Sequence, residues 1–185
     1  MSKVAVIGGG AAGMFASIFA ARNGNEVHLF EKNERLGKKL YITGKGRCNV
    51  TNAADIETLL ANVRANPKFL YSAFYGCSND MVMEFFEKEG CKLKVERGDR
   101  VFPVSDRAQD VISALERAMK KAGVRIHLNR EVKSLDELKE FDSIIVATGG
   151  MSYQSTGSTG DGYRFAKDMD LKVTELVQGL VPFNI

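Results

Sequence analysis

The stretch VAVIGGGAAGMFAS, from Val4 to Ser17, constrains the fold more than any other part of the chain. A short β-branched run, Lys3 to Ile7, stops at Gly8, and Ala11 to Arg22 follows with helix formers and apolar residues on one face. That order predicts strand, tight turn and helix. Gly8, Gly10 and Gly13 then satisfy G-x-G-x-x-G in the frame a dinucleotide site requires. Gly8 would make the turn, Gly10 would let backbone approach a pyrophosphate, and Gly13 would let the helix pack close to the strand. Phosphates are expected at the helix N-terminus, beside Ala11 and Ala12, where free N–H groups and the positive end of the helix dipole converge.

The next strand strengthens this reading. Glu26 to Phe30 is a second β-rich run, and it ends at Glu31, 23 positions after Gly8. A carboxylate there accepts hydrogen bonds from a ribose diol and repels a 2′-phosphate, so NADP is disfavoured at this position while FAD and NAD stay open. Lys32, the next residue, joins the candidate set.

After Glu31 an ordinary nicotinamide domain would pass quickly to its next helix. Here the chain enters the polar stretch ITGKGRCNVTN, Ile42 to Asn52. Its GKG is not G-K-[ST] and no strand-plus-helix frame surrounds it, which argues against a triphosphate cradle. A nucleophilic Cys48 would need a nearby base, yet His28 and His127 both fall in predicted strands. One wall of a larger cofactor cleft is the remaining reading.

Composition narrows the class. With 185 residues, 44% of them hydrophobic, the chain can bury a sizeable core. Its 26 basic and 23 acidic residues are interspersed, giving a net charge of +3 and no basic tail, so no nucleic-acid partner is expected. Cys48, Cys77 and Cys91 are odd in number and form no Cys-x-x-Cys pair, which disfavours a disulfide framework or a metal site and fits a reducing cytoplasm. No run approaches the roughly 20 apolar residues of a membrane span, and glycines interrupt the N-terminus where a signal peptide needs an apolar core. A cytoplasmic protein acting on a small molecule is expected; its oligomeric state is open.

Asp55 to Glu89 predicts two or three helices, with the aromatic residues Phe69, Tyr71, Phe74, Tyr75, Phe85 and Phe86 as helix-packing core and Cys77 and Cys91 as buried fillers. Lys92 to Val95 and Arg100 to Phe102 predict a hairpin turning at Arg97-Gly98-Asp99. Ser105 is expected to cap a helix from Asp106 to Ala122 that stops at Gly123. Two short strands, Arg125 to Leu128 and Glu131 to Ser134, should follow, then a buried strand, Ser143 to Ala147, covered on both faces. Gly157, Gly160 and Gly162 bracket Asp161 before a helix to Lys167. Both late glycine clusters would lie at the carboxyl ends of neighbouring strands, where open α/β sheets bind ligands, so Gly160 and Asp161 are also candidates.

Four stretches together, VAVIGGGAAGMFAS, EKNERLGKKLYITGKGRCNVTN, RVFPVSDRAQDV and IVATGGMSYQSTGSTGDGYRFAK, resemble the BaiN-like, aminoacetone-oxidase-like flavoproteins, FAD-dependent oxidoreductases related to the glutathione-reductase superfamily. The resemblance touches nearly the whole chain. It implies an α/β fold: a Rossmann-like FAD-binding domain with a parallel sheet, flanking helices and a small hairpin and helical insertion. It implies that Gly46, Arg47, Cys48, Asn49 and Thr51 neighbour FAD, that Val132 offers backbone groups to the adenine, and that Thr148, Gly149 and Gly150 approach the phosphate and ribose side.

Members of that family run on past GLVPFNI into an inserted substrate domain and a further glycine-rich motif. Residues 1–185 are therefore expected to be the N-terminal part of a flavin-dependent enzyme, with NAD(P)H a candidate reductant. No residue here is an evident acid, base or nucleophile, so none is named as catalytic. A non-catalytic nucleotide-binding module is the alternative; an NAD dehydrogenase or methyltransferase would not need GRCN or ATGGMSY.

Overall fold

The computed structural model describes residues 1–177, and the terminal GLVPFNI stretch lies outside the described residues. Two sheets organise the chain. The larger is wholly parallel, with order β6-β2-β1-β7, formed by β1 (Lys3–Ile7), β2 (Glu26–Phe30), β6 (Arg125–His127) and β7 (Ser143–Val146). The smaller is antiparallel, with order β3-β5-β4, formed by β3 (Thr51–Asn52), β4 (Leu93–Glu96) and β5 (Arg100–Pro103). The helices are α1 (Ala11–Arg22), α2 (Lys38–Ile42), α3 (Ile56–Ala61), α4 (Tyr71–Gly76), α5 (Asn79–Lys88), α6 (Ala108–Ala122) and α7 (Asp161–Asp168).

The parallel sheet requires long returns between its strands, and α1 supplies the first of them. Met14 and Ile18 of α1 are fully buried beside Val6, Val27 and Leu29 of the sheet and Leu115 and Met119 of α6. Each such side chain contributes about 1.5–3 kcal/mol by leaving water, so this layer carries most of the fold's stability. A second cluster, built by Ala5, Ile7, Phe30, Val132, Leu138 and Phe165, covers the opposite face. The α6 helix ends as expected at Gly123, whose φ of 76° lets Val124 N–H reach back to the Met119 carbonyl at 3.0 Å.

Several expectations need correction. Ser105 does not cap α6, which starts at Ala108 after Arg107. Asp106 takes a left-handed φ of 54° that no helix can begin from, and Ser105 Oγ accepts only from Arg107 N–H, at 3.3 Å. Residues 131–134 form no strand: Glu137 Oε1 takes the N–H groups of Lys133 and Ser134, and that local bonding competes with a ladder. The β7 strand is an edge strand, with Val146 42% exposed, rather than one covered on both faces. The polar loop contributes β3, which pairs with β5. Of the aromatic residues, Phe85 and Phe86 are core, while Phe69, Tyr71 and Tyr75 are exposed because α4 and the 3-10 turn before it, Pro67–Leu70, contribute nothing to the main core cluster. Cys77 is likewise exposed, not a buried filler.

Candidate functional site

The carboxyl ends of β1, β2 and β7 converge on a cavity of about 780 Å³. The turn after β1 forms its floor. Gly8 has φ +107° and its N–H bonds the Phe30 carbonyl at 2.8 Å, so the turn is tied directly to β2. A Cβ on Gly8 would stand 2.5 Å from the Ala147 carbonyl oxygen, and one on Gly13 only 1.8 Å from that of Gly8. These two glycines are therefore required by packing. Gly10 is different: a Cβ there meets nothing within 4 Å and would enter the cavity. No side chain caps α1, so its first-turn N–H groups, at Ala11 and Ala12, face the cavity rim without a side-chain acceptor.

Glu31, at the end of β2, is buried and fixed by three donors: Gly9 N–H at 2.7 Å, Asn33 N–H at 2.8 Å and the Asn33 side-chain amide at 2.6 Å. That web joins the β1 turn to the β2 turn through one carboxylate. The third wall is the loop from Ala147 to Tyr163. Asp161 accepts from Lys32 Nζ at 2.9 Å and Thr159 Oγ1 at 3.0 Å. Burial works against the Asp161 carboxylate, yet these donors and Arg164 outweigh it and hold the carboxyl below its ordinary value. On the far side of β2, His127 stacks on Phe30 with ring centroids 4.8 Å apart, and burial beside His28 holds its imidazole below the usual value.

The structure thus gathers Gly8, Gly10, Ala11, Ala12, Glu31, Lys32, Val132, Thr148, Gly149 and Asp161 around one cavity. Gly13 supports it from behind. Gly150 and Gly160 lie just outside the lining; Gly160, at φ +87°, starts α7. Gly46, Arg47, Cys48, Asn49 and Thr51 are not brought to the cavity. Their groups are tied to the small sheet: Arg47 pairs with Glu96 and Asp106 and lies 4.2 Å over the Phe102 ring, while the Asn49 amide donates to the Thr51 and Val101 carbonyls at 2.9 and 3.0 Å. Cys48 is fully buried at φ 59°, and burial pushes its thiol up from the ordinary value, which disfavours the thiolate.

Asn33, Lys39, Thr43, Gly157 and Ser158 also line the cavity, and motif reading does not single out Asn33, Lys39, Thr43 or Ser158. Lys39 was hidden by its ordinary setting in the GKK run; only the fold sets it against Ser158. Among the described residues no helix is long and apolar enough to cross a membrane, and no three metal-ligating side chains converge.

The model of the HI0933-like protein Rossmann domain matches residues 2–184. The chain is 33% identical to a 3-dehydro-bile acid delta(4,6)-reductase of Clostridium scindens, over 100% of this chain and 48% of that protein. It is 30% identical to a ribosomal RNA dihydrouridine synthase of Escherichia coli, over 97% of this chain and 47% of that protein. The chain therefore spans about half the length of these curated relatives. Among solved structures, the open conformation of a flavocytochrome c3 fumarate reductase shares the fold, with a TM-score of 0.68 at 24% identity, covering 91% of this chain and 40% of that one.

Proposed function

The chain belongs to the HI0933-like Rossmann-domain family, and we propose that it is the FAD-binding part of a flavin-dependent oxidoreductase that saturates a carbon–carbon double bond beside a carbonyl. The observation that carries the cofactor assignment is the cavity itself. Gly10 leaves open the space that backbone approach to a pyrophosphate requires, the N–H groups at the start of α1 face it, and Glu31 is fixed at the end of β2 to accept from a ribose diol. The same carboxylate would repel a 2′-phosphate, so NADP does not suit this cavity.

FAD, when bound, supplies the hydride chemistry. The residues of this chain bind and orient its adenosine and pyrophosphate: Glu31 takes the ribose, Val132 flanks the adenine, and the turns at Gly8–Ala12 and Thr148–Gly149 hold the phosphate side. Residues that face the substrate belong to the other half of the protein, which carries the substrate domain and a further glycine-rich motif, with NAD(P)H as reductant. The chain alone accordingly retains the adenosine side of the site and turns over weakly or not at all. We place the protein in the cytoplasm.

The reaction class draws support from the two relatives' names, which describe the same bond change. A delta(4,6)-reductase of a 3-oxo steroid acid and a synthase of dihydrouridine both saturate a carbon–carbon double bond conjugated to a carbonyl. A small-molecule enone is the first reading of the substrate. A uridine within RNA is the second, favoured by the 30% identity to the dihydrouridine synthase.

The test is an absorbance spectrum of purified chain with and without added FAD, followed by a thermal melt. Saturation at a hundredfold excess over Kd stabilises by about 2.7 kcal/mol, which raises Tm by about 5–10 °C in a domain of this size. Absence of both flavin bands and a thermal shift would sink the assignment. In the complete protein, flavin reduction by NAD(P)H followed by reoxidation with an enone or with ribosomal RNA separates the two substrate readings.

A further inference from the structure

Among the described residues, one cation of the cavity wall faces no carboxylate. Four cationic side chains line the wall: Lys32, Lys38, Lys39 and Arg130. Lys32 faces Asp161 at 2.9 Å, Lys38 faces Glu34 at 3.1 Å and Arg130 faces Glu137 at 2.9 Å. Lys39 forms no ion pair among the described residues. Its Nζ donates to two hydroxyls, Ser158 Oγ at 2.6 Å and Ser152 Oγ at 3.4 Å, which leaves one of its three N–H groups without a protein acceptor. Burial holds its pKa below the ordinary lysine value, and no anion among the described residues offsets that effect.

The position of this ammonium is fixed by the fold. A Cβ built on Gly149 would stand 2.7 Å from Ser158 Oγ and 3.9 Å from Lys39 Nζ, so the lysine lies against the glycine turn that follows β7, on the cavity wall. Ser158 is itself buried, and its hydroxyl anchors the ammonium there. A half-buried ammonium with only neutral protein partners keeps a donor and a full positive charge available to an anionic ligand in the cavity. The dinucleotide of the preceding section has the matching charge. Its pyrophosphate is doubly anionic, whereas the end of α1 offers only about half an elementary positive charge. The other three cations of the wall are already neutralised.

We propose that Lys39 is the cation that pairs with the phosphate charge of the bound dinucleotide, with Ser158 holding its ammonium in place. This inference rests on the dinucleotide reading of the cavity. It makes α2 part of the binding site and assigns charge neutralisation to a side chain outside the glycine fingerprint.

The experiment is calorimetric titration of the chain with ADP and with adenosine, for the wild type, Lys39→Met and Lys39→Arg. A charge-assisted contact predicts that Lys39→Met loses about tenfold to a hundredfold in ADP affinity. Adenosine affinity should stay unchanged, and Lys39→Arg should recover most of the loss. Added salt should weaken ADP binding to the wild type more than to Lys39→Met. If Lys39→Met does not fold, Lys39→Gln, which keeps a donor but no charge, serves in its place. Unchanged ADP affinity in the neutral variant, or equal loss of ADP and adenosine, overturns the role of Lys39 while leaving the cavity's assignment standing. A wild type that binds neither ADP nor FAD overturns both.

Discussion

Replacing Gly10 and Gly13 separately by alanine should divide two roles that the glycine fingerprint merges. At Gly13 the new methyl would stand 1.8 Å from the Gly8 carbonyl oxygen, whereas real Cβ contacts essentially never fall below 3.0 Å. The helix and turn must separate by at least about 1.2 Å, and the turn cannot yield locally because Gly8 N–H is bonded to the Phe30 carbonyl at 2.8 Å. Overpacking of this kind costs about 1–3 kcal/mol, a large part of the roughly 5–15 kcal/mol that holds a domain folded. With a urea m-value near 2 kcal/mol/M, the unfolding midpoint should fall by about 0.5–1.5 M.

Gly10 predicts the opposite pattern. Its φ of −82° and ψ of −173° suit any residue, and the added methyl meets open space. Alanine there should leave the midpoint unchanged or raise it, since fewer unfolded conformations are lost, by about 0.4–1 kcal/mol. The methyl would instead occupy the volume that a pyrophosphate needs, weakening ADP or FAD by about fivefold to a hundredfold if the clash is worth 1–3 kcal/mol. Urea melts and calorimetric titration of both variants provide the assay. A Gly10→Ala chain that binds ADP like the wild type, or that loses as much stability as Gly13→Ala, refutes the reasoning.

Two further outcomes follow from the charges and thiols. Arg47→Ala leaves the Glu96 and Asp106 carboxylates beside each other with only Lys94 between them, so Tm should fall. Hydrogen bonds, from Arg47 first at Glu96 and from Lys94 first at Asp106, lower both carboxyl pKa values in the fold, so their contribution is complete above the unfolded values near 4 and disappears as pH falls through the lower folded ones. The Tm gap between wild type and variant should therefore close in acid, and a gap independent of pH between 7 and 3 would contradict the ion-cluster account. Among the thiols, Cys48 and Cys91 are buried, and burial drives the Cys91 thiol up to about 11, while Cys77 is exposed. Dithionitrobenzoate should label one thiol rapidly in the native chain and three in denaturant; fast labelling that survives Cys77→Ser would place the reactive thiol elsewhere.

The first strand, helix and strand are legible in the sequence to the residue, because β-branched runs broken by glycines leave few alternatives for residues 3–30. The hairpin and the helix ending at Gly123 are nearly as legible, for their turn and stop residues act locally. What escapes is decided by side-chain partners and strand neighbours that alternation and motif spacing do not reveal. The alternation at residues 131–134 looks like a strand until Glu137 takes its N–H groups, and the apolar run at β7 cannot reveal that it has a neighbour on one side only. In the site, Gly8 and Glu31 can be named from motif spacing, and Thr148 from the family resemblance. Lys39 and Ser158 cannot, because their contact spans 119 residues, and Asn33 cannot, because its bonds to Glu31 depend on the shape of the turn after β2.

The pairing of β1 with β7 joins residues 4–7 to residues 143–146, about four-fifths of the described span of the chain. Closing so long a loop is slow relative to forming the β1, α1 and β2 unit, which is local. During synthesis the wall at Gly149 cannot be set against Gly8 until about 150 residues have left the ribosome, so the cavity assembles well after the β1, α1 and β2 unit. Until then the new chain exposes one unpaired side of β1, and the onset of ligand binding should report the docking of β7 onto it.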